Sequence, residues 1–420
     1  MDRTSYMLVV PNEEEELNDP AVLLQRVEQI DGVQVMNPEM EQEELSFELI
    51  YNETLYRAKI YPVDFELPEF YRTQHFFPDV EIEAVEEKNC GLAVELEFAG
   101  EALLSYHLQL KMIAAMFSCG VLAVVDDSAE KILSGRWLEL AAASQVPPAP
   151  RYLFTVQAVS DEGDEEVWLH THGLNRCGVT ELEILGSTRE NYNEHYHIIE
   201  TMAKRLLESE EPLEPLEPLF LARLSEEAVL VTTLLSWEQA VELYDEDCLG
   251  GKADRKEDHN QDTSCIFCYP SPEDLEQKRP VPVSVFDELL ADNPLYMISN
   301  GETARMKALA QERISYMKRA LGEEDVHILV KLGLEVDEEY VSEDNQREHI
   351  WFELQEISDV KLKAELTQEP FYIKGLHAGY VGEYSIDMIT DWMIYLPEGN
   401  VTPDDVYLLE MLKAQRAAAE

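Results

Sequence analysis

The stretch WLHTHGLNRCGVTELEI (residues 168–184) places two histidines and two glutamates on either side of a glycine-containing turn. Residues two apart on a β-strand share a face. His170 and His172 therefore project from one side of a first strand, and Glu181 and Glu183 share a face of a second. If the two strands pair as a hairpin, the imidazoles and the carboxylates converge.

This pattern has two interpretations. Two histidines with one or two glutamates form a ligand set suited to Zn²⁺ or Fe²⁺, which would fit a metal-dependent enzyme. Alternatively, the hairpin buries its Val, Leu and Ile side chains on one face and shows His and Glu to water as cross-strand pairs. No HExxH-type signature is present, so the spacing favours the solvated face and leaves the metal site as the alternative.

Outward from this stretch, strand and helix patterns alternate along the chain. Residues 45–51 and 54–65 alternate apolar and polar side chains, which predicts a hairpin. Residues 19–30 read as an amphipathic helix with Asp19 as N-cap and Pro20 at its first position. These patterns predict an α+β fold of two domains, with mainly antiparallel sheets packed by helices.

The segment EEPLEPLEPL (residues 210–219) has proline at every third position, which predicts an extended spacer between domains. We therefore expect an N-terminal α+β domain over residues 1–209. Beyond the spacer, we expect a middle α+β region over residues 220–340 and a C-terminal domain over residues 341–420. A chain of 420 residues agrees with two to three domains.

Charge is the most unusual feature of the composition. The chain has 32 Lys+Arg against 86 Asp+Glu, a net charge of −54. Such a field repels phosphate backbones and anionic membranes and favours basic partners, so we expect no nucleic acid and no membrane binding. No run of 18 apolar residues and no signal-peptide pattern occur. With six scattered cysteines, this composition predicts a cytoplasmic protein.

Two smaller motifs carry candidate chemistry. Cys265 and Cys268 form a lone CxxC, which predicts either a buried strand or, with Cys248 and His259, a structural zinc loop. Asp391 lies beside Trp392 inside an apolar strand. A buried aspartate needs partners, so this pair either anchors a structural hydrogen-bond network or lies in a pocket.

Two stretches of the chain resemble known families. The last ~75 residues resemble the bacterial domain family of unknown function numbered 2314, through HIWFEL (349–354), LTQEP (366–370), LHAGYVGEY (376–384) and ITDWMIY (389–395). Gln368 stands where that family usually has Asn. The N-terminal part, with its HTHGL and ELEI segments, resembles the mostly Firmicute family numbered 4026. The resemblance implies a bacterial, cytoplasmic α+β protein and assigns no activity.

The sequence thus predicts an acidic, non-catalytic interaction protein that binds or neutralises a basic protein. A metal-dependent enzyme using His170, His172, Glu181 and Glu183 is the alternative. No phosphate-binding loop, dinucleotide fingerprint or nucleophile elbow occurs, so no cofactor is required beyond a divalent metal in the second case. Oligomeric state is left open.

Overall fold

A computed structural model of the chain describes residues 2–72, 77–161, 163–209, 212–225, 228–255, 263–291, 300–342 and 346–419. These residues form eleven α-helices and twenty β-strands in three sheets. All strand pairs but one are antiparallel among those the structure describes, which confirms the predicted α+β class. The chain forms two compact units, residues 1–142 with 150–297 and residues 143–149 with 298–420.

The first sheet of the first unit has the strand order β2-β3-β4-β5-β1-β6-β7 and is antiparallel throughout. Alternation sets its faces: in β3, every second side chain is buried. The strands are β1 (Thr4–Pro11), β2 (Gln34–Glu41), β3 (Glu44–Tyr51), β4 (Thr54–Asp64), β5 (Cys90–Glu97), β6 (Val121–Asp126) and β7 (Lys131–Ser134).

The second sheet has the order β11-β12-β13-β10-β9-β8, with β14 paired to β13. Its β10–β13 pair is parallel. Strands β9 and β10 contain the opening stretch and are buried on both faces, so both read as nearly continuous buried runs. The strands are β8 (Thr155–Val159), β9 (Glu166–His172), β10 (Glu181–Thr188), β11 (Leu219–Arg223), β12 (Val229–Ser236), β13 (Thr263–Cys268) and β14 (Val281–Pro282).

Helices cover these two sheets. Asp19 caps the first helix as predicted, accepting hydrogen bonds from the backbone N–H groups of Ala21 and Val22. The helices of this unit are α1 (Pro20–Val27), α2 (Ile82–Glu86), α3 (Ala102–Met116), α4 (Gly135–Ala143), α5 (Tyr192–Glu208), α6 (Trp237–Ala240), α7 (Pro272–Glu276) and α8 (Asp287–Ala291). Within the described ranges of the chain, no helix has the length and apolar character needed to cross a membrane.

The second unit contains a six-stranded antiparallel sheet with the order β18-β17-β16-β15-β19-β20. The long helix α9 packs on β19. The strands are β15 (His327–Glu335), β16 (Arg347–Ile357), β17 (Lys361–Leu366), β18 (Val381–Ser385), β19 (Ile389–Leu396) and β20 (Gly399–Val401). The helices are α9 (Asn300–Glu312), α10 (Ile314–Ala320) and α11 (Leu409–Ala419).

The structure divides the chain differently from the sequence expectation. The segment 210–219 does not separate two units, because β11 to β13 join β9 and β10 in one sheet. Its proline-rich backbone docks on that sheet: Leu216 N–H donates to the carbonyl of Leu234, and Tyr269 donates to the carbonyl of Leu216. The expected boundary between residues 220–340 and 341–420 is also absent, because β15 lies between β16 and β19.

Asp391 and Trp392 lie on β19, between β15 and the edge strand β20 of the second unit's sheet. Trp392 is fully buried and donates from Nε1 to the carbonyl of Ala310 in α9, at 3.0 Å. Asp391 accepts a hydrogen bond from the backbone N–H of Trp392 at 2.8 Å. Burial raises the pKa of Asp391 to about 6, against the opposing effect of Lys331. The Trp392 hydrogen bond holds α9 against the sheet, whereas the Asp391 hydrogen bond stays within β19.

We predict that Trp392→Phe destabilises the second unit by roughly 2–3 kcal/mol, because it removes a hydrogen bond and leaves part of the indole volume empty. Hydrogen-exchange mass spectrometry of peptides from β15 and β19 measures this loss. Trp351→Phe is the matched control, since Trp351 lies half-buried on β16 beside Lys331, and we expect a change below ~1 kcal/mol. Equal losses of protection in the two variants would contradict the central role of Trp392.

Candidate functional site

The opening stretch forms a buried hairpin. Strands β9 and β10 pair antiparallel, with Glu183 opposite His170. The four polar side chains His170, His172, Glu181 and Glu183 are 2%, 8%, 2% and 0% exposed. The expectation of a solvated polar face is therefore wrong. A buried carboxylate needs hydrogen-bond partners, and the structure supplies different partners to each glutamate.

Glu181 binds the turn that follows β9. Its Oε1 accepts hydrogen bonds from the backbone N–H groups of Gly173 and Asn175, at 2.9 and 3.0 Å, and its Oε2 accepts one from the Thr171 hydroxyl at 2.7 Å. Gly173 has φ +108°, and a Cβ there would lie 2.5 Å from the carbonyl of Leu153, so only glycine fits. Burial raises the pKa of Glu181 to about 7, although these hydrogen bonds oppose the shift.

Glu183 has a different set of partners. Arg255 donates to its Oε1 at 2.7 Å, and Trp168 donates from Nε1 to its Oε2 at 3.0 Å. The His170 ring stacks on Trp168 with ring centroids 4.1 Å apart. The next histidine along, His172, places its Nδ1 3.4 Å from the Glu130 carboxylate. Trp168 thus links Glu183 with His170, and the His170 and His172 rings lie 4.9 Å apart between centroids, whereas Glu181 binds the turn.

These networks engage the two glutamates among the four predicted metal ligands with protein donors. All four carboxylate oxygens of Glu181 and Glu183 already accept hydrogen bonds. Across the described part of the chain, no group of three or more His, Cys, Asp or Glu side chains is placed to hold a metal ion. Burial directs each glutamate to protein donors, and the alternative of a metal-dependent enzyme at His170, His172, Glu181 and Glu183 stays a prediction.

The turn between β9 and β10 also carries a buried arginine. Arg176 is 2% exposed and binds Asp126 at the end of β6 in a bidentate pair, at 2.7 and 2.9 Å. Its guanidinium also donates to the Ser5 hydroxyl at 2.8 Å and to the Leu153 carbonyl at 2.7 Å. The hairpin is thereby attached to β1 and β6 of the first sheet.

The CxxC motif forms part of the core. Cys265 and Cys268 lie on β13, and Cys265 packs in a hydrophobic cluster with Cys248. Cys268 Sγ lies 3.5 Å from the carbonyl of Val281, as a thiol donor would. Burial raises the pKa of Cys265 and raises that of Cys268 to about 12, so both stay protonated at neutral pH. Protonated, buried thiols are typical of a strand core, and His259 lies outside the described residues.

The best candidate for a binding site is a groove on the first sheet, which we call the aromatic groove. It has a volume of about 270 Å³ and lies where β4, β5 and β1 are neighbours, beside the segment of residues 65–71. No Lys, Arg or His is among the residues that line it within the described chain. Five aromatic rings and three acids do so: Tyr6, Tyr61, Phe65, Phe70, Tyr71, Glu66, Glu95 and Asp127.

Hydrogen bonds and burial keep the phenols of the aromatic groove neutral. Tyr61 donates to Glu95 Oε1 at 2.6 Å, and this bond, with burial, raises the pKa of Tyr61 to about 12. Tyr71 is 2% exposed and stacks on Phe70 at 4.2 Å between ring centroids. Its buried hydroxyl has no hydrogen-bond partner among the described residues. Burial and the charge of Asp127 raise the pKa of Tyr71. The groove therefore offers neutral rings, acids and one buried hydroxyl.

Comparison with protein families assigns the chain. Residues 5–148 match the N-terminal model, and residues 156–267 the C-terminal model, of a protein of unknown function, DUF4026. The chain belongs to the DUF4026 family. Residues 302–412 of this DUF4026 protein match DUF2314, an uncharacterised protein conserved in bacteria. Comparisons with curated proteins and with solved structures returned no match. Both resemblances inferred from the sequence are confirmed.

Sequence reasoning missed the aromatic groove and the Arg176–Asp126 pair. A signal for the groove was present, because four of the eleven residues in YPVDFELPEFY (61–71) are aromatic and three are acidic. From the sequence alone, Asp126 is interpreted as a turn residue at the end of an apolar strand. Its actual partner, Arg176, lies 50 positions further along the chain. No periodicity in the sequence connects two such residues.

We predict that the raised pKa of Glu181 makes stability fall with pH. Between the ordinary value of 4.5 and about 7, the unfolded chain has lost the Glu181 proton while the folded chain keeps it. The free energy of unfolding therefore decreases as pH rises through this window, by about 3 kcal/mol from this group. Denaturant unfolding between about pH 4.5 and 7.5 measures the slope.

Glu181→Gln mimics the protonated acid, so we expect this variant to lose that part of the pH dependence while keeping the fold. Glu139→Gln is the matched control, because it removes an exposed carboxylate of α4. The control variant should keep the slope of the native chain. An unchanged slope in Glu181→Gln would show that Glu181 is ionised in the folded state throughout this range.

Proposed function

We propose that this protein is a non-catalytic interaction protein of the cytoplasm, and that it binds a basic protein by taking a cationic side chain into the aromatic groove. The single observation that carries the proposal is the composition of the groove lining. It combines five aromatic rings with three acids, and no basic side chain is among its described residues. A Lys or Arg side chain has both a long apolar stem and a charged end, which complement such a lining.

The energetics favour a cation over a neutral ligand. An aromatic ring attracts a cation by about 0.5–1 kcal/mol at an exposed site and by about 2 kcal/mol where water is removed. Glu66, Glu95 and Asp127 add attraction of the same sign. Partial loss of solvent and the charge of Asp126 raise the pKa of Asp127, so a bound cation would lower that pKa again.

The net charge of the whole chain also favours a basic partner. A net charge of −54 draws a basic partner towards the surface and increases the rate of encounter, and this effect weakens as salt rises. The overall field does not select one partner or one position. In this proposal, the field supplies encounter and the aromatic groove supplies the specific contact.

We predict that a hexalysine peptide binds the full chain and that Tyr6→Leu with Phe70→Leu weakens binding about tenfold, because two cation–π contacts are lost while apolar volume stays similar. Isothermal titration calorimetry at about 50 and 300 mM salt measures affinity and its salt dependence. Both residues are partly exposed, so the folded state should tolerate the change.

The matched control is Tyr192→Leu, an exposed tyrosine on α5 outside the aromatic groove. We expect it to bind the peptide as the native chain does. Asp127→Asn should weaken binding more than Glu273→Gln, although each removes one carboxylate. Equal affinities for groove and control variants would mean that peptide affinity depends only on the net charge of the chain. This result would overturn the proposed site.

A further inference from the structure

A second cavity of the first unit, also about 270 Å³, has the opposite character to the aromatic groove. It lies among the start of β7, the short 3-10 helix Pro150–Tyr152, β8 and α5. Its walls include the rings of Phe77, Tyr152, Phe154 and Tyr196. Two basic residues, Lys131 and Arg151, line it against one acid, Glu200. Such a lining is unexpected in a chain of net charge −54.

Lys131 is the unusual residue of this cavity. Its side chain is buried on β7, and Nζ donates to the backbone carbonyls of Tyr152 and Phe154. Burial lowers the pKa of Lys131 to about 7, although the charge of Asp126 opposes the shift. At neutral pH, Lys131 is therefore a free amine in a large share of the protein molecules, whereas an ordinary lysine is almost entirely protonated.

Other charged and titratable groups near Lys131 set this balance. Asp126 faces it across the β6–β7 pair and favours the ammonium form. Arg176 and Arg151 favour the amine, and Cys177 acts in the same direction as Asp126. Asp126 is already bound to Arg176 in a bidentate pair. The strongest nearby carboxylate is therefore shared with another cation.

Arg151 supplies a place for an anionic group near the amine. Its guanidinium lies 5.1 Å from the centre of the Tyr152 ring and donates to the Tyr152 hydroxyl at 3.2 Å. The acid of the cavity, Glu200, forms an ion pair with Lys204 at 3.1 Å. A planar guanidinium beside aromatic rings suits a carboxylate or phosphate group carried on a small ligand.

We propose that Lys131 is a carbonyl-reactive amine, and that this cavity binds a small aldehyde or ketone that carries a carboxylate or phosphate group. The inference goes beyond the proposed binding of a basic partner and uses a different part of the fold. Arg151 holds the anionic group, and the rings of Phe77, Tyr152, Phe154 and Tyr196 line the space beside the reacting carbonyl.

The reaction balances without an oxidant or reductant. The lone pair of Lys131 Nζ attacks the carbonyl carbon, and a proton moves from nitrogen to oxygen to give a carbinolamine. Loss of the hydroxyl group and the remaining amine proton as water then forms the imine. A protonated imine keeps one N–H, which can donate to the Phe154 carbonyl that already accepts from Nζ.

The test uses the full chain with glyoxylate, an aldehyde that carries a carboxylate, and cyanoborohydride to trap the imine. Peptide mass spectrometry compares the labelling of Lys131 with that of the exposed Lys278 at about pH 7. We expect Lys131 to react at least about tenfold faster, because more of it is present as free amine. Labelling of Lys131 at or below the rate of Lys278 would overturn the proposal.

The Arg151→Gln variant tests the proposed anion site independently of the Lys131 amine. With glyoxylate, we expect the labelling of Lys131 in this variant to fall at least about fivefold. With acetaldehyde, which carries no anionic group, the variant and the native chain should label Lys131 equally. If Arg151→Gln slowed the labelling of Lys131 equally with both aldehydes, Arg151 would not hold the anionic group. Unchanged labelling with glyoxylate would lead to the same conclusion.

Discussion

Arg176 is a permanent positive charge in a side chain that is only 2% exposed, and the guanidinium must therefore find all of its partners inside the protein. Asp126 supplies a bidentate carboxylate, and Ser5 and the Leu153 carbonyl each accept one further hydrogen bond, while Arg176 Nε has no hydrogen-bond partner among the described residues. Because these partners lie on β1, on β6 and just before β8, the pair fixes the β9–β10 turn against the first sheet. Removing one partner of such a pair typically costs about 3–5 kcal/mol.

The same constraint orders the surroundings of the hairpin. With the turn fixed, Glu181 can accept from the backbone N–H groups of Gly173 and Asn175, and this cross-turn contact holds the ends of β9 and β10 together. The opening stretch therefore has a structural role, because its glutamates hold the turn and the neighbouring strands together. The two cavities of this unit lie outside it, one acidic and aromatic and one basic, so the chain presents two surfaces of opposite chemistry.

Local features were predictable and long-range partners were not. Alternation identified β3 and β4, and the Asp19 cap identified the start of α1, because these depend on neighbouring residues. Burial of Glu183 depends on Arg255, 72 positions away, and no local pattern reports such a partner. The proline-rich segment failed as a boundary for the same reason, since β13 returns to pair in parallel with β10.

The most direct test of this account is a double-mutant cycle on Arg176→Met and Asp126→Asn, read by hydrogen exchange of β6 and β9 peptides. The account predicts that each single variant loses about 3–5 kcal/mol of protection and that the double variant loses no more than either, which gives a coupling energy of similar size. Additive losses below ~1 kcal/mol each would show that the two sheets are held together without this pair.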